Sequence, residues 1–276
     1  MRTLHVGLSP CPNDTFIFHA LLSGLVETEG LRFVPVFEDV EKLNQMARER
    51  RLEVTKISFH AYGHLRDTYQ LLGSGAALGR GCGPLIVCRP ENRGQDLRGA
   101  RIAIPGRWTS ATLLLLLYEP GISPDRLVET TFDRILGDVA SGDVDAGLII
   151  HESRFTYAGH GLVERQDLGA WWEETEGLPI PLGGIIADRR LGRGVIEQID
   201  AALGASVLHA RQHPDDSADF VRAHAQELDD EVTRAHIDLY VNDFTVELGQ
   251  EGATAVEQLL RRAEESGVIP RSPTGR

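Results

Sequence analysis

One histidine directly follows an apolar segment of the chain. His151 comes after Gly147–Ile150, in which no residue carries a polar side chain. Such a segment is typical of a strand buried on both faces of a parallel sheet. In open α/β sheets the ligand crevice lies beyond the carboxyl ends of the strands, so a side chain at this position faces the predicted site. An imidazole can accept a proton at neutral pH. The position predicts a general base, and a structural or solvated histidine is the alternative.

A lone lysine occupies the equivalent place on an earlier strand. Lys56 and Ser58 lie at the carboxyl end of the segment Val54–Ser58, and Lys42 is the other lysine of the chain. An ammonium group at a strand end pairs well with the carboxylate of a small-molecule ligand, whereas a buried lysine without a partner would be costly. The alternative is that Lys56 extends its charge to solvent.

Two predicted helix starts also follow strands. The first comes after Leu4–Leu8 and begins near Asn13 or Asp14, and the second begins near Thr109 and Ser110. Free amides at a helix N-terminus favour anions, so each start is a candidate wall for a ligand carboxylate. The same side chains can instead cap their helices, and both interpretations stay open.

Strand and helix patterns alternate through the first 150 residues, and these elements must position the polar segments. Alternation of this kind predicts an α/β fold with parallel strands. From residue 189 onward the pattern is helical. The predicted strands cover 4–8, 31–37, 54–58, 69–72, 85–88, 101–104, 130–134 and 144–150, and the predicted helices include 39–50, 59–66, 112–118 and 136–142.

Two segments predict where the chain passes between domains. Residues 89–94 have linker composition, and residues 178–187 resemble a return toward the first domain. The predicted first lobe therefore comprises residues 1–92 and 188–276, and the second comprises 93–187. Before the return, Trp171 and Trp172 either close over the cleft or pack inside the protein.

Charge and hydropathy exclude several classes of function. Acidic residues outnumber basic ones by 41 to 28, and a net charge of -13 opposes binding to nucleic acid. The apolar run Leu113–Tyr118 is far shorter than the roughly 20 residues that span a bilayer. The first residues enter a strand pattern without the features of a signal peptide, so we expect a cytoplasmic protein.

The cysteines and glycines carry no recognised cofactor motif. Cys11, Cys82 and Cys88 form neither a CxxC pair nor a metal-type cluster, so we expect free thiols and no zinc. Residues 73–84 contain five glycines, but their spacing matches neither nucleotide-binding fingerprint. We therefore expect neither a dinucleotide nor ATP.

Several of these segments together resemble one enzyme family, the 1,4-dihydroxy-6-naphthoate synthases of the futalosine route to menaquinone. The similarity extends over nearly the whole chain. The segments that carry it are Ser9–Phe16 (SPCPNDTF), Thr55–Ser58, Gly79–Gly81, Pro105–Arg107 with Thr109 and Ser110, Gly147–Tyr157 with its IIHESRFTY stretch, Leu168–Trp172 and Tyr240–Asn242.

The resemblance implies a fold and a reaction. The fold is α/β and periplasmic-binding-protein-like (type II), with two lobes that close on a ligand cleft. The reaction is a lyase step that converts cyclic dehypoxanthine futalosine, a carboxylated small molecule, into 1,4-dihydroxy-6-naphthoate. This cleavage and aromatisation needs a base that takes protons next to a carbonyl. The resemblance implies no metal or organic cofactor.

The resemblance also implies roles for particular residues. His151 corresponds to the proton acceptor of the family. The predicted substrate-binding residues are Lys56, Ile57, Ser58, Thr109, Ser110, Asn13 and Arg80. Ser110 stands where relatives also have threonine, so its hydroxyl is kept and a methyl group is lost.

Two neighbours of the predicted site remain ambiguous. Glu152 could orient His151, but adjacent strand residues point to opposite faces, so a role in solvent or between the lobes is equally consistent with the sequence. We therefore leave Glu152 outside the predicted catalytic set. Arg154 and Arg80 can pair with a substrate carboxylate or form surface ion pairs.

Two other functions suit the same fold. A solute-binding module shares it, since fold does not imply function, but the expected absence of a signal peptide disfavours an exported receptor. A sister enzyme that dehydrates chorismate is the second alternative, and the IIHESRFTY segment disfavours it.

Overall fold

A computed structural model describes residues 2–225 and 229–271 of the 276-residue chain. Its strands are β1 (Arg2–Leu8), β2 (Leu31–Phe37), β3 (Val54–Ser58), β4 (Tyr69–Leu71), β5 (Ala77–Gly79), β6 (Leu85–Cys88), β7 (Ile102–Ile104), β8 (Leu127–Glu129), β9 (Ala146–Ile149), β10 (Val163–Asp167) and β11 (Ile180–Asp188). Its α-helices are α1 (Pro12–Leu22), α2 (Val40–Arg48), α3 (Phe59–Leu65), α4 (Ser110–Tyr118), α5 (Phe132–Ser141), α6 (Ser153–Thr156), α7 (Leu168–Glu176), α8 (Arg193–Gln212), α9 (Ala218–His224), α10 (Asp230–Tyr240), α11 (Asp243–Val246) and α12 (Gly249–Glu265).

The first sheet places the carboxyl ends of β1 and β3 side by side. Its order is β2-β1-β3-β11-β4, and β5 pairs with β11. Strands β1, β2 and β3 are parallel, while β11 runs antiparallel to β3. The segments that follow β1 and end β3 therefore meet at one edge of the sheet, as the parallel pattern predicts.

The second sheet repeats this arrangement with β7 and β9. Its order is β10-β6-β9-β7-β8, with β7 parallel to both β8 and β9. The register pairs Ile102 with Ala146 and Ala103 with Gly147, so the loop after β7 and the segment after β9 share an edge. Packing of Ile135 and Val139 of α5 leaves no space for a side chain at Gly147. These contacts explain the purely apolar character of β9.

The chain passes between the sheets earlier than the predicted lobe boundaries at residues 92 and 187. Strand β6 pairs with β9 and β10 in the second sheet, and β11 pairs with β3 in the first. The crossings therefore lie in residues 80–84 and 168–179. Residues 89–94, whose composition suggested a linker, form a surface connection within the second unit. A division of the chain into two lobes at these crossings is our proposal. Residues 1, 226–228 and 272–276 of the predicted first lobe lie outside the described residues.

One predicted strand is wrong. The sequence predicts a strand over residues 130–134, but the strand in this region is β8, which ends at Glu129. Thr131 is instead the N-cap residue of α5, which begins at Phe132. Threonine favours both strands and helix caps, and the apolar spacing of Ile135, Leu136 and Val139 decides for the helix.

The aromatic segment near residue 170 packs inside the protein and does not cover the cleft. Trp172 of α7 is fully buried, and its indole Nε1 donates a hydrogen bond of 3.2 Å to the carbonyl of Pro179. At the start of α7, Gly169 lies against Gly83 so closely that a Cβ on Gly83 would be 2.3 Å from the partner backbone. This approach accounts for one of the glycines in residues 73–84.

Within the residues that the structure describes, no helix combines the length and apolar character needed to cross a bilayer.

Candidate active site

The carboxyl ends of β1, β3, β7 and β9 surround one cavity, in which about 80 Å³ is accessible to the centre of a water molecule. Its walls combine apolar surface with a few polar groups, as small-molecule sites usually do. The lining residues include Ser9, Asn13, Asp14, Lys56, Ser58, Thr109, Ser110, Ile150, His151, Leu182 and Tyr240. Six of the eight predicted site residues therefore meet at this cavity, and Ile57 and Arg80 do not.

Lys56 is buried and has a resident partner. Its Nζ donates to Oδ1 of Asp14 at 2.8 Å. The other carboxylate oxygen of Asp14 accepts from the backbone N–H and the hydroxyl of Ser9, at 3.1 and 2.8 Å. The predicted alternative of a solvated lysine is wrong, because the side chain is only 8% exposed. The ammonium group keeps two further hydrogens for a ligand.

Asn13 connects this ion pair to a helix of the C-terminal region. Its Nδ2 donates to Oδ1 of Asp14 at 3.0 Å, and its Oδ1 accepts from Nε2 of His236 on α10 at 2.9 Å. His236 is fully buried, and burial holds its pKa well below the ordinary histidine value. A chain of hydrogen bonds therefore runs from Lys56 at the cavity to His236 behind it.

His151 follows β9 in a left-handed backbone conformation, with φ of +56°. The imidazole lies edge-on to Phe132 at 5.3 Å and nearly parallel to the ring of His236, with the centroids 6.0 Å apart. Burial lowers the pKa of His151, and the nearby carboxylate of Glu152 raises it by a smaller amount. Because burial dominates, the neutral imidazole is favoured at neutral pH and can accept a proton.

Glu152 points to the same side as His151. The alternation rule holds only inside a strand, and β9 ends at Ile149, before the left-handed residue turns the chain. A nitrogen of His151, a carboxylate oxygen of Glu152 and the sulfur of Cys11 all lie within 4.8 Å of one another. Of the alternatives that the sequence left open for Glu152, the structure places this carboxylate close enough to His151 to influence it.

The group formed by Cys11, His151 and Glu152 has the residue types of a metal site, but its cysteine favours the protonated thiol. Burial raises the pKa of the Cys11 thiol, with a further contribution from Glu152. A metal binds the thiolate, so this shift disfavours Cys11 as a ligand. We do not assign a metal site here, and the expected lack of a metal requirement stays a prediction.

Thr109 and Ser110 line the cavity but use their hydroxyls within the protein. Thr109 caps α4 by accepting from the backbone N–H of Thr112 at 3.2 Å, which confirms the capping interpretation for this residue. The Ser110 hydroxyl donates to the carbonyl of Leu182 on β11. These bonds fix the helix start at the cavity, where its backbone amides favour an anion.

A buried carboxylate joins the two sheets beside this helix start. Oε2 of Glu41 on α2 accepts from the backbone N–H of Trp108 at 3.0 Å and from the amide of Asn44 at 3.4 Å. Asn44 in turn donates to the hydroxyl of Ser58 and accepts from its backbone N–H. Burial raises the pKa of Glu41 to about 7. This Glu41 bridge therefore couples the segments that contain Ser58 and Thr109.

The structure does not bring Ile57 and Arg80 to the cavity. Ile57 points to the opposite face of β3 from its neighbours and is fully buried in the core, as strand alternation requires. Arg80 is about half exposed and donates to Glu251 and to the carbonyl of Gly177. Arg80 entered the predicted substrate-binding set with the family resemblance. Of its neighbours, Gly79 lies close to Asn242 and Gly81 has a φ of +68°.

Arg154 also has an internal partner. Its Nη2 donates to Asp167 at 2.7 Å, and its Nη1 donates to the carbonyl of Gly83. The second of the two interpretations, an ion pair within the protein, therefore describes Arg154.

Four polar residues of the site were not predicted as functional from the sequence. Asp14 was considered only as a helix cap, although a lone lysine at a strand end calls for a nearby carboxylate. Tyr240 lay in a segment used only for the family resemblance. Glu41 and His236 gave no signal, since each lies on an ordinary amphipathic helix whose partners are distant in the sequence.

The fold and cleft define a class that solved structures share. The periplasmic aliphatic sulphonate binding protein of Escherichia coli superposes with a TM-score of 0.66 at 14% identity, covering 98% of this chain and 89% of that one. A protein from Archaeoglobus fulgidus matches more closely, with a TM-score of 0.89 and 38% identity over 97% of this chain and 98% of that one. The chain therefore has the periplasmic-binding-protein-like fold, which confirms the predicted fold class.

Sequence relatives specify the family. A family described as menaquinone biosynthesis matches residues 4–265. The 1,4-dihydroxy-6-naphthoate synthase of Thermus thermophilus is 54% identical over 99% of this chain and 98% of its own, and that of Streptomyces coelicolor is 44% identical over 97% and 95%. The chain belongs to the 1,4-dihydroxy-6-naphthoate synthase family of menaquinone biosynthesis.

Proposed function

We propose that this protein is a carbon-carbon lyase that converts cyclic dehypoxanthine futalosine into 1,4-dihydroxy-6-naphthoate, with His151 as the general base. One observation carries the proposal: the His151 imidazole, whose pKa is lowered by burial, follows β9 on the wall of the same cavity that the buried Lys56 ammonium lines. A base and an anion-binding group in one apolar cavity suit a substrate that carries a carboxylate and loses a proton from carbon.

Each wall has a distinct part in this reaction. The Lys56 ammonium and the N-terminus of α4 hold the substrate carboxylate. Apolar residues such as Ile150 and Leu182 pack against the ring that becomes aromatic. His151 takes the proton next to the carbonyl, which allows the skeleton to break and the ring to aromatise. Base catalysis of this kind contributes roughly 100- to 10,000-fold.

The direction of the His151 pKa shift gives a pH dependence. The base must be unprotonated, and burial lowers its pKa. Activity should therefore persist below the ordinary histidine pKa of about 6.5 and fall only as the pH drops through the lowered value. Cytoplasmic location and independence from metal and organic cofactors remain predictions that accompany the proposal.

The test is incubation of the purified protein with cyclic dehypoxanthine futalosine and, separately, with chorismate, while the naphthoate chromophore is followed. We expect naphthoate from the first substrate alone. Consumption of chorismate would favour the sister enzyme, and binding without turnover would favour a solute-binding module. The His151→Ala variant should bind the substrate and form almost no naphthoate, and full turnover by this variant would refute the base assignment.

A further inference from the structure

A buried pair stands behind His151 and has no part in the reaction proposed above. His236 lies against the His151 ring with 22° between the two planes. Its Nδ1 is 3.8 Å from Oε2 of Glu152. Both atoms are buried, and neither has a hydrogen-bond partner among the residues that the structure describes.

The hydrogen-bond chain fixes which nitrogen of His236 carries a hydrogen. Asp14 is engaged by the Lys56 ammonium and accepts from Nδ2 of Asn13, so the amide of Asn13 has one orientation. Its Oδ1 can only accept, and it faces Nε2 of His236 at 2.9 Å. Nε2 therefore donates, and the neutral ring presents a bare Nδ1 toward Glu152.

A bare nitrogen that faces an ionised carboxylate would leave two buried acceptors without a donor. At 3.8 Å the two atoms are too far apart for a direct hydrogen bond, but a rotation of the Glu152 side chain that brings Oε2 within about 3 Å of Nδ1 lets one hydrogen satisfy both. We propose that Glu152 and His236 share a single hydrogen between Oε2 and Nδ1. This pair positions His151 and affects the reaction only through that residue. The role deepens the proposed function, since it concerns the base of that reaction.

The shared hydrogen controls the charge beside His151. With it the pair is neutral, and the imidazole is surrounded by the neutral rings of Phe132 and His236 and by the buried thiol of Cys11. Without it Glu152 is an anion within 4.8 Å of the ring, and an anion there favours the imidazolium. The pair therefore keeps His151 in the form that accepts a proton.

Other titratable groups also face this region and act equally on each variant discussed below. They are Cys11 and Asp14 from the first helix and the residue before it, Asp39 before α2, Lys56 on β3, and Tyr240 on α10.

The first test measures the proton affinity of His151 without any substrate. The ring nitrogens of His151 and His236 are followed by isotope-edited NMR as the pH is changed, and signals are assigned by their loss in His151→Ala and His236→Gln. In the wild type we expect Nε2 of His236 to carry a hydrogen and Nδ1 to be hydrogen-bonded. In Glu152→Leu the Nδ1 signal should move to that of a free nitrogen.

Two matched variants then separate the shared hydrogen from the charge. Glu152→Gln keeps an N–H donor for Nδ1 and cannot ionise, so the charge beside His151 is unchanged and His151 should titrate as in the wild type. His236→Gln keeps a donor toward Asn13 and removes Nδ1, which leaves Glu152 without its partner. In that variant His151 should titrate at higher pH than in the wild type. Glu174→Gln, an exposed change, is the control.

The kinetic test uses the same variants with cyclic dehypoxanthine futalosine. The acid limb of kcat/KM should follow the NMR order, and Glu152→Leu should lower kcat by about 10- to 100-fold, as loss of a group that orients a working histidine usually does. Glu152→Gln should retain most of the wild-type kcat, with little change in KM. If His236→Gln fails to fold, the two Glu152 variants still decide.

Failure of the pair and failure of the proposed function give different results. A bare Nε2 on His236, or a large drop of the His151 titration in Glu152→Gln, would overturn the shared hydrogen whatever the substrate is. A wild-type protein that shows the expected NMR behaviour but forms no naphthoate would refute the proposed reaction and leave the pair supported.

Discussion

The two polar walls of the cavity differ in how their buried groups are satisfied. The Asp14 wall, formed by Ser9, Asn13, Asp14 and Lys56, pairs its ammonium and its carboxylate through short hydrogen bonds. In the Glu152 wall, which comprises His151 at the cavity with Glu152 and His236 behind it, a carboxylate oxygen and a ring nitrogen face each other, and neither has a hydrogen-bond partner among the residues that the structure describes. The first wall is suited to hold a ligand in place, because its groups are already fixed. In the second wall, Oε2 of Glu152 and Nδ1 of His236 are acceptors that can take up a proton.

The largest effect is expected from breaking the Asp14 wall. Asp14→Asn leaves the Lys56 ammonium buried without its counter-charge, so the free energy of unfolding should fall by about 3 to 5 kcal/mol. Urea unfolding measures this loss. In the matched double variant Asp14→Asn with Lys56→Met no charge is left unpaired, and most of the stability should return. A loss below about 1 kcal/mol in the single variant would show that this wall is not satisfied as described.

The Glu41 bridge gives the next effect, which depends on pH. Burial raises the Glu41 pKa from its ordinary 4.5 to about 7, so the folded state disfavours the ionised form. This cost is absent below the ordinary value and grows as the pH rises through 7. Glu41→Gln cannot ionise, so it should become more stable relative to the wild type as pH rises, by at most about 3 kcal/mol under mildly alkaline conditions.

Thermal or urea unfolding at several pH values checks the Glu41 prediction. An equal stability difference at all pH values would contradict it. Glu174→Gln, which replaces an exposed carboxylate on α7, away from this bridge, is the control.

Substitution of Thr109 at the start of α4 tests whether its hydroxyl stabilises the helix or binds the substrate. Thr109→Ala removes the cap of α4 and should cost about 1 kcal/mol of stability, while Thr109→Ser should keep most of it. The Thr109 hydroxyl accepts a hydrogen bond from the backbone of α4, so its loss should weaken substrate binding only through a displacement of the start of α4. A large rise in KM with unchanged stability would mean that the hydroxyl itself binds the substrate.

The smallest effect is expected outside both walls. Arg80 and Glu251 form an exposed ion pair, with side chains 49% and 54% accessible. Arg80→Ala should therefore change stability by less than about 1 kcal/mol and leave the naphthoate rate unchanged. A several-fold rise in KM would restore Arg80 to the substrate-binding set that the sequence suggested.

The sequence predicted well where the strands end, and poorly which side chains contact the residues at those ends. Apolar runs and alternation located β3 and β9, and hence Lys56 and His151, which lie at the ends of strands of different sheets and line one cavity. The same alternation failed for Glu152, because the left-handed turn at His151 ends the strand geometry. Helical periodicity indicates which face of α10 is buried but not what it meets, so His236 could be found only from the assembled fold.

Chemical rescue of the missing imidazole tests the central claim most directly. His151→Gly suits the left-handed backbone at this position and leaves a space beside His236. Its naphthoate formation should be almost abolished, and added imidazole should restore the rate in proportion to the neutral imidazole concentration. The matched His151→Phe variant, which fills the space, should not respond. A His151→Gly protein that turns over at the wild-type rate without imidazole would contradict the account.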